Sequence, residues 1–174
     1  ALPICDDTAA AVVRSDGTVE AEVREGQEDI HRDFGGVVPN LAKEMHRKAI
    51  GRVVENTVEM AGGWEKVDAV AVTMGPGLEV CLRVGFEKAR EVVQSVGVPF
   101  VAVNHLEAHC LVARLGQQDL DFPYLTLLVS GGHCQLLWTK GVGSFEVIGG
   151  TLDDAMGEAF DKTARILGLQ VGGA

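Results

Sequence analysis

The 174-residue sequence predicts an α/β fold, and three observations predict it. Apolar runs of strand length alternate with stretches whose apolar residues recur at helical spacing. The 22 glycines suit a chain with many tight turns. A 47% apolar content suffices for one ample core or two small lobes.

The elements follow in order. "CDDTAAAVVRSDGTVEAEV" reads as strand, turn, strand, with Asp16-Gly17 as the hairpin signal. "NLAKEMHRKAIGRVVENTVEM" places Leu41, Met45, Ala49, Val53, Val54 and Val58 on one helical face, with Asn40 expected as its N-cap. "VDAVAVTM" is a buried strand, broken by "GPGL" before a helix over "EVCLRVGFEKAREVVQSV". "VPFVAV" is the next strand and "HLEAHCLVARL" the next helix. "YLTLLVSGGHCQLLW" is a second hairpin turning at Ser130 to His133, and "FEVIGG" adds a strand. "TLDDAMGEAFDKTARILGL" opens with a T-x-x-D capping box, Thr151 to Asp154, and runs as a helix to about Leu167. A turn joins two strands near the start and again near residue 131, which suggests a nucleotide cleft between two related halves.

Bulk properties exclude several classes. No run approaches the ~18 uninterrupted apolar residues of a spanning helix, so no membrane partner is expected. The N-terminus lacks the pattern of a secretory signal and an initiator Met, and a processed end or a fragment is expected. Cys5, Cys81, Cys110 and Cys134 form no C-x-x-C, which argues against a zinc ribbon or a disulfide-stapled domain and for a reducing compartment. A net charge of -10 opposes the footprint of a free-standing nucleic-acid binder. The basic stretches "HRKAIGR" and "RVGFEKAR" read as solvated helix faces.

Three motifs could carry chemistry. In "HLEAH", His105 and His109 lie at i and i+4, on one helical face, where two imidazoles can share one ion or serve as ordinary helix residues. Two ligands are too few, so at least one more, usually a carboxylate, must come from elsewhere. A protease of the H-E-x-x-H kind does not fit. Its base follows the first His directly, whereas Glu107 is rotated by about 200° from His105 at about 100° per residue. In "LLVSGGH", two glycines after a strand either make a plain hairpin turn or expose successive N–H groups as an anion nest, with Ser130 and His133 beside them. In "GEAFDK", Gly157 and Asp161 share a helical face, and either the absent side chain leaves room for a ligand beside a carboxylate or Asp161 is a solvated residue next to Lys162. Asp6 and Asp7 at the first bend either face a phosphate-bound metal or cap the turn.

The order of these pieces is more specific than any one of them. "CDDTAAAVV", "GGVVPNLAKEMH", "GPGL", "HLEAH", "LLVSGGH" and "GEAFDKTARILGL" follow one another in a succession that resembles the tRNA N6-adenosine threonylcarbamoyltransferases, once labelled O-sialoglycoprotein endopeptidases. "GPGLEVCLRVGFEKAR" is similar to their organellar, eukaryotic branch. The resemblance implies an actin/Hsp70/sugar-kinase-like fold, with residues 1–120 as an N-terminal ribonuclease-H-like lobe and 121–174 as the start of a second. It implies transfer of a threonylcarbamoyl group from threonylcarbamoyl-adenylate to N6 of the adenosine next to the anticodon, in tRNAs reading codons that begin with A. By the same resemblance His105 and His109 would bind one divalent metal, iron or zinc. Leu128, Val129, Ser130, Gly131 and Gly132 would line the adenylate site, Asp161 would hold the ribose, and Gly173 would match the glycine after the helix.

The resemblance further implies tRNA as partner, a homodimer or accessory subunits, and a mitochondrial location, with plastid or cytoplasm as alternatives. The third metal ligand, an Asp, is expected outside these 174 residues, so the chain alone is expected to be inactive. Two rival readings stand beside this one: a small-molecule kinase of the same fold, which has no use for the histidine pair, and a non-catalytic nucleotide-binding scaffold.

Overall fold

A computed structural model describes residues 7–27, 38–117, 119–132 and 134–169; Cys5, Asp6, His133 and Gly173 lie outside the described residues. The chain divides into two compact units. The described residues of the first run from Asp7 to Gln27 and from Val38 to His105, and those of the second begin at Leu106 and end at Leu169.

In the first unit, β1 (Asp7–Val13) and β2 (Val19–Gly26) form the expected antiparallel hairpin. Asp16 makes the turn by accepting a 2.9 Å bond from the Thr18 N–H, which holds its carboxyl below the usual range. Gly17 takes φ 87°, a left-handed conformation that costs glycine nothing. Helix α1 (Pro39–Met60) packs on both strands, and its buried residues include Ala42, His46, Ala49, Ile50, Val53, Val54 and Val58. Its start differs from the expected Asn40 cap. Val38 is the N-cap and Pro39 is the first helical residue, a position where proline's fixed φ is favourable and its missing N–H costs nothing.

β3 (Val70–Gly75) and β4 (Phe100–Asn104) pair in parallel, Val70 opposite Phe100, and α2 (Glu79–Val96) connects them. The helix spans the residues its spacing predicted and ends at Gly97, whose φ of 78° makes a left-handed C-cap. Ile50, Val54, Val72, Val84, Ala89 and Val92 form the core between α1, α2 and β3, with Ala10, Trp64, Val70 and Val96 against it.

Helix α3 (His105–Leu111) begins at the last residue of the first unit and runs into the second, followed by a short 3-10 turn at Val112–Arg114. The second unit holds an antiparallel sheet in the order β5 (Tyr124–Val129), β6 (Cys134–Gly141), β7 (Ser144–Gly150). Thr126 and Thr139 share a 2.8 Å bond between hydroxyls across the β5–β6 ladder. Helix α4 (Met156–Ile166) follows with Ala155 as its N-cap. The expected Thr151–Asp154 capping box does not form. The Thr151 N–H and hydroxyl both donate to Cys134 O, at 3.0 and 3.3 Å, so Thr151 closes the sheet and the helix starts four residues later than a Thr151 cap predicts.

Candidate functional site

The turn predicted at Ser130 is the loop between β5 and β6, whose last ladder pair is Val129 with Cys134. Leu128 and Val129 lead into it from β5, and Ser130, Gly131 and Gly132 make the bend. The loop meets the first turn of α4. Gly157 N–H donates to Ser130 O at 3.3 Å, and Met156 N–H donates to Cys134 Sγ at 3.1 Å. The first four N–H groups of a helix have no partner within it, and here two are taken by the segment flanking the diglycine bend. Gly157 is buried in this contact, which gives its place in the helix a packing reason. Asp161 lies one turn further along α4, on the same face as Gly157. Its neighbour Lys162 pairs with Asp154 at 2.7 Å and Glu158 at 3.1 Å, and the Asp154 bond holds the ammonium above its usual range.

The Met156 N–H has a chemical consequence. It holds the Cys134 thiol below the ordinary cysteine range. Cys110, on α3, is buried, and burial pushes its thiol up.

His105 and His109 sit one turn apart on α3, the first half-buried and the second exposed. Two imidazoles at this spacing fit adjacent positions around one ion. Among the described residues no group of three His, Cys, Asp or Glu side chains gathers as a metal site. Glu107 is turned elsewhere: its Oε1 accepts a 2.7 Å bond from the Gly143 N–H in the β6–β7 turn. Tyr124 Oη donates to Cys110 O at 2.8 Å and ties the same helix to β5.

The two basic stretches are neutralised locally. Arg52 makes two bonds to the Glu25 carboxylate, at 2.8 and 2.6 Å, and Arg47 pairs with Glu44, Arg83 with Glu79 and Lys88 with Glu91. Arg47, Lys48, Arg52, Arg83 and Arg90 are exposed, as expected of solvated helix faces, whereas His46 in the first stretch is buried.

The sequence matches the profile of the TsaD family, tRNA N6-adenosine threonylcarbamoyltransferase, over residues 18–174. The chain belongs to that family. A probable mitochondrial tRNA N6-adenosine threonylcarbamoyltransferase of Arabidopsis thaliana is 50% identical over 168 residues, which cover 96% of this chain and 35% of that protein. A tRNA N6-adenosine threonylcarbamoyltransferase of Cereibacter sphaeroides is 50% identical over 174 residues, covering 97% of this chain and 48% of that one. The chain thus spans half or less of the length of these relatives. Among solved structures, YeaZ from Pseudomonas aeruginosa superposes with a TM-score of 0.52 at 16% identity, covering 87% of this chain and 68% of that chain. A second Pseudomonas aeruginosa structure, described as similar to peptidase YEAZ, gives 0.53 at 17%, covering 83% and 59%. These likenesses concern the fold alone, and the α/β, actin- and sugar-kinase-like class expected of a TsaD family member is the class observed.

Sequence reasoning missed one polar cluster in this family member. His46 is fully buried, and its Nδ1 accepts from Gln27 Nε2 at 3.0 Å and lies 2.8 Å from Thr8 Oγ1. An Nδ1 that accepts places the ring proton on Nε2. The signal was present, since His46 sits among Ala42, Ala49 and Val53 on the buried stripe of α1. Asp7 pairs through one oxygen with Arg24, while its Oδ1, close to Gly26, is buried without a hydrogen-bond partner among the described residues.

Proposed function

We propose that the chain is the nucleotide-binding and metal-binding part of an enzyme that transfers the threonylcarbamoyl group from threonylcarbamoyl-adenylate to N6 of the adenosine beside the anticodon. The observation that carries this reading is the family match over residues 18–174, joined to a diglycine bend hydrogen-bonded to the first turn of α4. In the reaction the adenosine N6 forms a bond to the carbamoyl carbon and gives up one proton to solvent, the bond from that carbon to the phosphate oxygen breaks, and AMP leaves. The protein must position the carbonyl, hold the leaving phosphate and stabilise developing charge.

Leu128, Val129, Ser130, Gly131 and Gly132 are suited to the adenylate. The bend can turn main-chain N–H groups toward a phosphate, and apolar β5 side chains stand beside it. Asp161, one turn into α4, is suited to accept from ribose hydroxyls, and Gly173 is assigned to the same subsite by family pattern alone. His105 and His109 would hold one divalent ion, iron or zinc, which when bound supplies a Lewis acid and a template for substrate oxygens. Glu107, bonded to Gly143, is not its base.

On this reading residues 1–120 form the N-terminal lobe and 121–174 open the second. The substrates are tRNA and the adenylate, with a second copy or accessory subunits as protein partners. No helix among the described residues is long and apolar enough to cross a membrane. The mitochondrial name of the Arabidopsis relative supports a mitochondrial location.

The test is incubation of full-length protein with tRNA and threonylcarbamoyl-adenylate, read by nucleoside mass spectrometry. We expect modified adenosine, and near loss of it in His105→Ala. Unchanged transfer by that variant would remove the metal assignment.

A further inference from the structure

Helix α3 has seven residues, too few to persist on intrinsic propensity, so its orientation is set by what holds it. Two directed bonds do so within the second unit. Tyr124 Oη holds the main chain at Cys110, and the Gly143 N–H holds the side chain of Glu107 at 2.7 Å. Glu107 is two residues from each histidine, a rotation of about 200° along the helix, so its carboxylate leaves one side while the imidazoles leave the other. The donor is itself fixed: Gly143 has φ 70°, a conformation that suits glycine and aims its N–H out of the β6–β7 turn.

We propose that Glu107 is a positioning residue, whose bond to the Gly143 N–H sets the rotation of α3 and so the direction in which His105 and His109 project. The carboxylate serves as a hydrogen-bond acceptor and neither carries a proton nor binds the ion. This rests on the reading of the histidines as metal ligands. A glutamine keeps the accepting oxygen and the reach of the side chain while removing its charge and basicity. It therefore separates positioning from chemistry.

The experiment uses full-length protein with Glu107→Gln, Glu107→Ala, Gly143→Ala and His109→Ala. It reads Co2+ affinity and the visible spectrum of the bound ion, and follows amide hydrogen exchange at Gly143 and along α3 by mass spectrometry. Glu107→Ala and Gly143→Ala are expected to weaken Co2+ binding by about 10–100-fold, the usual cost of removing a group that orients a ligand. Both should change the spectrum and speed exchange along α3, and Glu107→Gln should retain wild-type spectrum and protection. If Glu107→Gln is as damaged as Glu107→Ala, the charge matters and the proposal is overturned. It is overturned equally if Glu107→Ala leaves Co2+ binding and exchange unchanged. If wild-type protein and His109→Ala take up Co2+ alike, the metal reading fails, and faster exchange in Glu107→Ala but not Glu107→Gln still decides the positioning role.

Discussion

The two units keep their apolar residues in different places. In the first, Val53, Val72, Cys81 and Ala89 are at most 1% exposed, and α1 and α2 close over them. In the second, Leu127 is 64% exposed and Phe160 69%, although both belong to regular elements. What holds the second unit is a three-stranded ladder and a few directed bonds: Glu107 with Gly143, Tyr124 with Cys110, Thr126 with Thr139, Met156 with Cys134. Both units have strand ladders and some buried residues, but the first leans more on burial, which is insensitive to direction, and the second more on hydrogen bonds, which are not. The residues proposed to touch substrate lie almost wholly in the second.

The contrast can be broken most directly by truncating side chains. Ile50→Ala, in the core of the first unit, is expected to cost about 2–5 kcal/mol. Leu127→Ala, on the open side of β5, should stay within about 0.5 kcal/mol. The chain has one tryptophan in each unit, Trp64 and Trp138, so urea titrations of single-tryptophan variants follow the units separately. Equal losses for the two substitutions would erase the distinction.

A smaller effect sharpens it. Tyr124→Phe removes the bond to Cys110 O and little else, and should lower stability reported by Trp138 by about 1 kcal/mol while leaving Trp64 unmoved. The smallest is a shift in titration. The Met156 N–H stabilises the thiolate of Cys134, so its alkylation by iodoacetamide should set in at lower pH than that of an ordinary cysteine. Cys110, buried and pushed the other way, should lag it at every pH from 6 to 9, as peptide mass spectrometry would show. Faster labelling of Cys110 would mean that the second unit is far looser than its bonds imply.

Local chemistry made much of the fold legible. Asp16-Gly17 marked the first hairpin, the apolar spacing of residues 79–96 matched α2 end to end, and Ser130-Gly131-Gly132 marked the second hairpin. Helix starts were less legible, because capping signals compete. Asn40 was displaced by a proline one residue earlier, and Thr151 was drawn to a strand carbonyl that no local pattern announces. At the candidate site the histidine pair, the bend and Asp161 could be picked out from residue type and spacing. The partners of Glu107 and of His46 could not, since Gly143 is 36 residues away from the first and Thr8 is 38 from the second. Spacing along a helix showed that Glu107 faces away from the histidines; only the folded chain shows toward what.

Cys134 joins these levels in a single residue. Its carbonyl takes both donors of Thr151, and its sulfur takes the leading N–H of α4, while its neighbours on the other side form the bend. The segment flanking the bend is thus tied twice to the head of α4, at Ser130 O and at Cys134 Sγ. Asp161 rides on the helix whose first turn those two bonds fix, five residues beyond Met156.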